Sequence, residues 1–536
     1  MSVQLQPEKT GPINGYAEPI IRTAILAIAL LLLTRNVTGL FTGWHEDNSA
    51  LYSIFARNHI QYGLGYTKLF NTWGDTLTPP TEPHRYLHHP PLVAVWPVIP
   101  MLFFGDHEWA ARLAPIATTL GSVWLLMVIV SRLQSPLLGL LSGFFYATLP
   151  ITAYFGRVID PESPVQFFSL LILHGYLQWA GLYGNSYRRA PGAICYTLGA
   201  FLGIATGWAT FIMTGLIWLW HLLRSLRDSS VRRLLVYLTL IPGVSLTAVV
   251  VHLLWGYGWS TAWLLPLLST RSLSPEDPIP WTKWLYMNLA HLNTNISMFG
   301  AGAAVIYLAI VPLILRYASL NSPLRQILRS KTSVAPILLT GLHGLIWVVL
   351  FKRQSAFCDY WQYFTSPFFA VAMASVVLTI FTLLSRLVSK IAIWAVILLV
   401  MLPMPFFANY LDVLHQRRLP QSMCDILTIF EELGQLVPAR VPAMISEEYP
   451  QPESENRYTG LMANSFLAYY INRPLIYSTD INEIQANQRG CAAYVMLLTN
   501  DPNLLELARE LNARYKLAWA HQNFLIFLLN QSPKDN

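Results

Sequence analysis

Residues 43–62 read GWHEDNSALYSIFARNHIQY, and the same stretch closes at residues 84–91 with HRYLHHPP. It follows directly on an apolar run, Ile20 to Phe41. Glu46 and Asp47 thus stand where the chain leaves the first span, with His45 before them. Arg57, Lys68 and Arg85 follow, then His84, His88 and His89 ahead of the Pro90-Pro91 step. A connecting loop has no need of that mixture. A loop doing acid–base work on a phosphorylated substrate at a membrane surface does. The acidic pair also suits a solvated helix cap, since Asn48 and Ser49 are turn formers.

The rest of the sequence reads as scaffold. Of 536 residues, 54% are hydrophobic and only 12% charged, against about 25% charged in soluble domains. The apolar residues fall in runs of roughly 16 to 24 with short polar breaks, the length a transmembrane helix needs. Spans are expected at about 20–41, 112–131, 136–155, 164–183, 193–208, 209–223, 234–256, 298–318, 334–351, 366–385 and 391–408. The fold class is therefore a polytopic α-helical membrane protein with about 11 transmembrane helices. Leu92 to Phe104 is too short to cross and holds Pro97 and Pro100, so it reads as interfacial. No cleavable signal peptide is evident at the N-terminus.

Lys and Arg set the orientation. Arg132, Arg188, Arg189, Arg224, Arg227, Arg232, Arg233, Arg316, Arg325, Arg329, Lys331, Arg386 and Lys390 follow even-numbered spans. The N-terminus is then cytoplasmic, and the 43–111 loop is outside with its interfacial helices. Gly156 to Pro164, Tyr257 to Ser297 and Lys352 to Thr365 are outer loops too. Lys352 and Arg353 break the charge rule, as outward cations that serve a ligand do.

Residues 1–408 form one transmembrane unit on this reading, and 409–536 a small extracytoplasmic α/β domain. The tail carries β-like runs at Pro474 to Ser478, Ala493 to Thr499 and Phe524 to Leu529. Asp501-Pro502 opens an amphipathic helix, with Asp501 as its cap. Cys424 and Cys491 both lie in that tail and are able to pair if it is outside; four cysteines are too few for a disulfide framework.

Several function classes drop out. The net charge of +7 sits in the breaks between spans, which points to membrane topology and away from nucleic acid. No expected span contains Asp or Glu, whereas ion-coupled transporters place ionisable groups near the midplane. No phosphate-binding Gly-x-x-x-x-Gly-Lys-Ser/Thr loop is present.

The outer face carries further chemistry. Arg157 precedes a second acidic motif, Asp160-Pro161-Glu162. His45, His88 and His89 suit a divalent cation, since imidazole and carboxylate bind Zn²⁺, or phosphate contact; no spacing here matches a zinc signature. The stretch Lys352 to Tyr363 sets Tyr360, Trp361 and Tyr363 beside two cations. Such rings form interface belts, and beside cations they also suit stacking on a sugar whose phosphate Arg or Lys holds.

An outward transferase needs a donor that crosses the membrane already activated, and a polyprenyl phosphate sugar is one. The motifs resemble the GT-C membrane glycosyltransferases of the family-39 type, which include protein O-mannosyltransferases and lipid A aminoarabinose transferases. The pieces are His45-Glu46-Asp47-Asn48 with Tyr52 and Ala56-Arg57-Asn58; His88-His89-Pro90-Pro91-Leu92; Trp109-Ala110-Ala111-Arg112-Leu113; Phe155-Gly156-Arg157 with Asp160-Pro161-Glu162; and Asp359 to Tyr363 with Pro367. The resemblance covers about residues 20 to 410. It implies a polyprenyl phosphate-sugar donor, a lipid, glycan or protein acceptor, membrane lipids as surroundings, and inversion at the anomeric carbon.

By the same resemblance Asp47 is the catalytic base, with Glu46 as the alternative. Asp160 and Glu162 position the acceptor or a metal. Arg157, Arg85, His89, Lys352 and Arg353 hold the donor phosphate. Two departures stand out. His88-His89 replaces the Glu-Lys that precedes the Pro-Pro step in the aminoarabinose transferases, and Glu-Asp replaces Asp-Glu. A non-enzymatic lipid-linked glycan translocator, and an oligosaccharide transferase or ligase using a pyrophosphate lipid, are the competing readings.

Overall fold

The computed structural model describes residues 17–41, 43–73, 84–86, 89–184, 188–256, 258–261, 279–317, 331–384, 401–417, 432–437, 441–446, 469–470, 475–497, 501–521 and 524–531. Helices dominate the first 417 residues. They are α1 (Ala17–Leu33), α2 (Glu46–Tyr62), the single turn α3 (Leu64–Thr67), α4 (Val95–Phe104), α5 (Glu108–Leu133) and α6 (Pro136–Thr148). Then follow α7 (Pro150–Phe155), α8 (Glu162–Trp179), α9 (Arg189–Thr206), α10 (Ala209–Ser225) and α11 (Arg232–Gly256). Trp281–Asn295, Ser297–Tyr317, Lys331–Leu350, Lys352–Phe357, Ser366–Leu384 and Pro403–Arg417 complete the set, with a 3₁₀ helix at Asp359–Thr365.

Among the described residues, four segments are long and apolar enough to cross a membrane: Glu108–Leu133, Ser229–Gly256, Ser297–Ile314 and Asp359–Leu383. Pro91–Phe104, Pro136–Thr148 and Val334–Leu350 are shorter apolar helices. Val236, Leu240 and Val244 of α11 point outward, as lipid-facing side chains do. The molecule is built as an integral membrane protein.

Three expectations about the spans change. The first span does not run to Phe41: α1 stops at Leu33. Beyond it Asn36 takes a positive φ of 52°, and the carbonyls of Val37 and Leu40 turn to Arg112. The expected span 136–155 is two helices, because Pro150 has no amide hydrogen and pushes Leu149 into an extended conformation. The outer loop 257–297 contains the helix Trp281–Asn295. Much of the expected last span, 391–408, lies outside the described residues, and a helix is present at Pro403–Arg417.

Helices α8 and α9 pack closely, since a methyl on Gly175 would collide with the backbone of Tyr196; such small residues let membrane helices approach. The bundle core runs from Ile25 and Val123 through Tyr146, Leu173 and Tyr196 to Trp361, Phe364 and Met373. A second apolar cluster lies around α2, with Phe41, Tyr52, Phe55, Ala94, Met101, Ala111 and Ile159.

Two sheets complete the fold. β1 (Asn71–Trp73) and β2 (His84–Tyr86) form an antiparallel hairpin in the 43–111 stretch. The C-terminal part is a five-stranded mixed sheet in the order β4-β3-β5-β7-β6. Its strands are β3 (Ala443–Ile445), β4 (Leu475–Tyr477), β5 (Ala493–Leu497), β6 (Lys516–His521) and β7 (Phe524–Leu528). β3 is parallel to both neighbours, and β7 is antiparallel to both of its own.

Alternate residues divide between its two faces, as the strand pleat requires. Ala443, Ile445, Val495 and Ile526 pack to one side, and Met444, Tyr494, Met496 and Phe527 to the other. The expected cap is made: Asp501 accepts from the Asn503 N–H at 2.9 Å and starts the helix Pro502–Arg514. Cys491 is buried in this core, and Cys424 lies outside the described residues.

Candidate active site

The site is built where α2 begins. Gly43 permits it, because a Cβ there would strike the Tyr154 hydroxyl. A tight turn follows, with the Glu46 N–H bonded to the Gly43 carbonyl at 3.0 Å. His45 adopts the left-handed conformation, φ 58°, which is uncommon outside glycine and clusters at functional sites. That turn sends Glu46 one way and His45 another.

Glu46 turns inward. Its Oε1 accepts from Arg112 Nη2 at 2.8 Å and its Oε2 from the Gly43 N–H at 2.8 Å. Arg112 is 1% exposed. It also donates to the carbonyls of Val37 (2.8 Å), Gly39 and Leu40 (3.1 Å). One guanidinium therefore gathers the whole 37–46 turn.

His45 turns towards Asp359, with Nε2 3.3 Å from Oδ1. The indole N–H of Trp44 donates to the same oxygen at 3.2 Å. The imidazole ring lies edge-on to Tyr360, centroids 4.8 Å apart. Burial alone would lower the His45 pKa. The hydrogen bond and charge of Asp359, with Asp47 and Asp160 nearby, outweigh burial and raise it.

Asp47 is left with backbone partners, the N–H groups of Asn48 and its own residue. Burial lifts its carboxyl above the usual 3.8, while the neighbouring His45 pulls it back in part. The second acidic motif closes over it. Asn48 Nδ2 donates to Asp160 Oδ2 at 2.6 Å and to the Tyr360 hydroxyl at 3.3 Å. The Ile159 N–H donates to Ser49 Oγ at 2.9 Å, and the Tyr154 hydroxyl to the Trp44 carbonyl at 2.9 Å. Asp160 is pushed well above the usual range by burial and by Glu162, whose carboxyl shares a hydrogen bond with it. Arg157 is buried beside them, its guanidinium 5.1 Å from the Tyr154 ring centroid.

The two acidic motifs expected to converge therefore do so. Other expected site residues lie elsewhere. Arg85 stacks on Phe70 at 5.1 Å and donates to the Gly256 carbonyl at 3.2 Å, at the end of α11. Lys352 lies over the Trp281 ring at 4.3 Å. Arg353, next to it on the helix Lys352–Phe357, is half-buried. His89 stacks on Tyr86 at 5.9 Å and meets Tyr52 edge-on.

Two of the three expected sugar-stacking rings are corrected. Trp361 is stacked on Trp347 at 4.8 Å. Tyr363 is fully buried, its hydroxyl 3.2 Å from Thr119 Oγ1. Both rings fill the bundle core, because the apolar run that follows them is itself a core helix. Tyr360 contacts the acidic cluster directly, through Asn48 and His45.

The histidines expected to hold a metal do not converge as a set among the described residues. His45 is engaged with Asp359 and His89 with tyrosines, and His88 lies outside the described residues. No group of three or more His, Cys, Asp or Glu side chains converges as a ligand set among the described residues.

Three functional contacts escaped the sequence reading. Arg112, Asn48 and Asp359 were visible only as members of motifs, Asn48 also as a turn former, with no partner assigned to any of them. The one available signal was spacing: Gly43-x-x-Glu46 is a side-chain-to-backbone cap.

The fold is that of the GT-C membrane glycosyltransferases. ArnT from Cupriavidus metallidurans bound to undecaprenyl phosphate superposes with a TM-score of 0.65 at 13% identity, covering 97% of this chain and 98% of that one. The archaeal oligosaccharyltransferase AglB from Archaeoglobus fulgidus, in complex with an inhibitory peptide and a dolichol-phosphate, gives 0.52 at 12% identity, covering 89% and 69%. A structure of the Archaeoglobus fulgidus oligosaccharyltransferase in complex with Zn and sulfate gives 0.51 at 12% identity, covering 88% and 68%. No family model matches the sequence, and no curated protein matches it.

Proposed function

We propose that this chain is a glycosyltransferase that moves a sugar from a polyprenyl phosphate-linked donor to a lipid, glycan or protein acceptor at the non-cytoplasmic membrane face. One observation carries the reading: two acidic motifs 112 residues apart are locked together by the 2.6 Å Asn48–Asp160 hydrogen bond. They form a carboxylate-rich pocket of chemistry in a fold shared with a protein bound to undecaprenyl phosphate.

Asp47 is the base. Both oxygens of Glu46 are taken by Arg112 and the Gly43 amide, which leaves Asp47 to accept a proton. Its raised pKa suits that task, since a general base works best near the operating pH. The acceptor O–H (or N–H) gives its proton to Asp47 as that atom bonds to the anomeric carbon. The bond to the phosphate oxygen breaks, its electron pair leaves with the phosphate, and the anomeric centre inverts. Asp160 and Glu162 orient the acceptor, burial and Glu162 favouring the protonated, donating form of Asp160. Arg157 is the cation nearest this chemistry, with Arg85, His89, Lys352 and Arg353 as outlying cations for the phosphate and headgroup. The N-terminus is cytoplasmic, residues 1–408 form the catalytic unit, and 409–536 form a small domain on the outer side.

The test uses the purified full-length protein with a panel of polyprenyl monophosphate sugars. Asp47→Asn is expected to lower transfer by about 10²-fold or more without loss of folding. Retained activity in that variant removes the mechanism. The likeness to the archaeal oligosaccharyltransferase favours one second reading, a pyrophosphate-linked donor. Transfer only from pyrophosphate lipids would select it, and label crossing the bilayer with no new glycosidic bond would indicate a translocator instead.

A further inference from the structure

Tyr470 belongs to two cores at once. Its ring packs against the C-terminal sheet cluster of Leu433, Val437, Ala443 and Ile445. It also packs against the α2 cluster that holds Phe41 and Ala111. Its hydroxyl accepts from the Phe41 N–H at 2.6 Å and is hydrogen-bonded to the Glu108 side chain. A carboxylate only accepts, so the Tyr470 O–H donates to Glu108. Burial and the Glu108 charge hold that hydroxyl protonated, well above the usual tyrosine range.

Phe41 is the residue on which the turn closes. Tyr469 meets its ring edge-on at 5.0 Å, and the Arg112 guanidinium lies over it at 4.7 Å. That guanidinium is the one gathering Val37, Gly39, Leu40 and Glu46. The neighbouring residue grips the other part of α2. The Tyr469 carbonyl accepts from Arg57 Nη1 at 2.9 Å, and Arg57 is paired with Asp106 at 2.5 Å. Two adjacent residues thus clip both the turn before Asp47 and the helix that carries it.

Resting on the transferase reading above, we infer that Tyr470 is a positioning residue for Asp47, through which the C-terminal sheet sets the geometry of the 37–46 turn. A base must sit within a fraction of an ångström of its productive place. Misplacement by about 1 Å can cost roughly 10²-fold. A hydroxyl that fixes one backbone amide five residues before a base's helix is well placed to control that distance.

Tyr470→Phe keeps the ring and removes only the hydroxyl. Two measurements on the full-length protein test it. The first is transfer from whichever polyprenyl-linked donor of the panel the wild type uses: kcat is expected to fall about tenfold to hundredfold, with the donor KM within about twofold. The second is hydrogen–deuterium exchange at the Phe41 amide, which is expected to quicken. Tyr477→Phe, an exposed tyrosine of the same sheet, keeps wild-type values in both. Unchanged exchange shows that the hydroxyl does not order the turn and overturns the proposal. Faster exchange with unchanged kcat overturns it too, since the contact then positions nothing. If the wild type transfers no sugar from any donor, the transferase reading fails by itself. Exchange still decides whether Tyr470 ties the sheet to the turn.

Discussion

The two ends of α5 bury polar side chains in opposite ways. Twenty-six residues separate them by about 39 Å. Near Arg132, at the C-terminal end, Arg132 lies over the Tyr183 ring, whose hydroxyl meets His174 at 3.1 Å. Close by, Arg224 donates to the Tyr176 hydroxyl, which bonds His221 Nδ1 at 2.9 Å. His221 Nε2 meets the Val231 carbonyl at 2.9 Å. A carbonyl only accepts, so Nε2 carries the hydrogen and Nδ1 receives the tyrosine proton. From Arg224 through Tyr176 and His221 to Val231, donors and acceptors form a closed chain. At the Arg112 end, Glu46, Asp47, Asp160, Glu162 and Asp359 crowd together. Glu46 is neutralised by the buried Arg112 guanidinium, and Asp359 faces His45. Polar burial is thus common to both ends, and a crowd of carboxyls is peculiar to one. The second is what a reactive site needs, because unequal environments set carboxyls at different pKa values.

The largest test of this contrast is Arg112→Met. It strands the Glu46 carboxylate in the interior and frees the Val37, Gly39 and Leu40 carbonyls. Breaking a buried pair from one side costs roughly 3–5 kcal/mol. Thermal unfolding in detergent should show a marked fall in Tm, and the added change Glu46→Gln should recover much of it. A double variant no better than the single one would show that Arg112 acts through the carbonyls alone.

At the other end, Tyr176→Phe should remove one link of the closed chain. It leaves His221 Nδ1 and the Arg224 donor without that partner, at a cost of about 1–3 kcal/mol. Transfer activity at a temperature well below unfolding is expected to stay at the wild-type level. A fall in kcat comparable to that of an acidic-end variant would erase the distinction between the ends.

Much of this was readable from the sequence, because span length, cap residues and charge at span exits are local properties. Helices α5, α8, α9, α10 and α11 and the Asp501 cap emerge as expected. So does the meeting of the two acidic motifs, since each follows an early apolar helix closely in sequence. What stayed hidden is pairing across distance. Arg112 and Glu46 lie 66 residues apart, and His45 and Asp359 farther still. Trp361 looked like a surface ring because cations precede it, yet Trp347 waits to stack on it inside the bundle. Trp281–Asn295 escaped because Lys283 and its asparagines interrupt any apolar run. Tyr470 carried no signal at all, being one tyrosine in a polar tail.

The smallest effect comes from within the acidic end and has the opposite sign on stability. Asp160 holds its proton in the folded protein well above the usual 3.8, through burial and Glu162. Between those two values the folded chain binds more protons than the unfolded one, so this carboxyl subtracts stability as pH rises. Asp160→Asn keeps the shape of the neutral acid and removes the titration. Its Tm near neutral pH should therefore rise, by an amount equivalent to roughly 0.5–2 kcal/mol. The gain should shrink on acidifying and vanish below pH 3.8, where the wild-type carboxyl becomes protonated in both states. A variant less stable than the wild type at neutral pH would mean that Asp160 is ionised and paired. The raised carboxyl that marks the acidic end would then be that of Asp47.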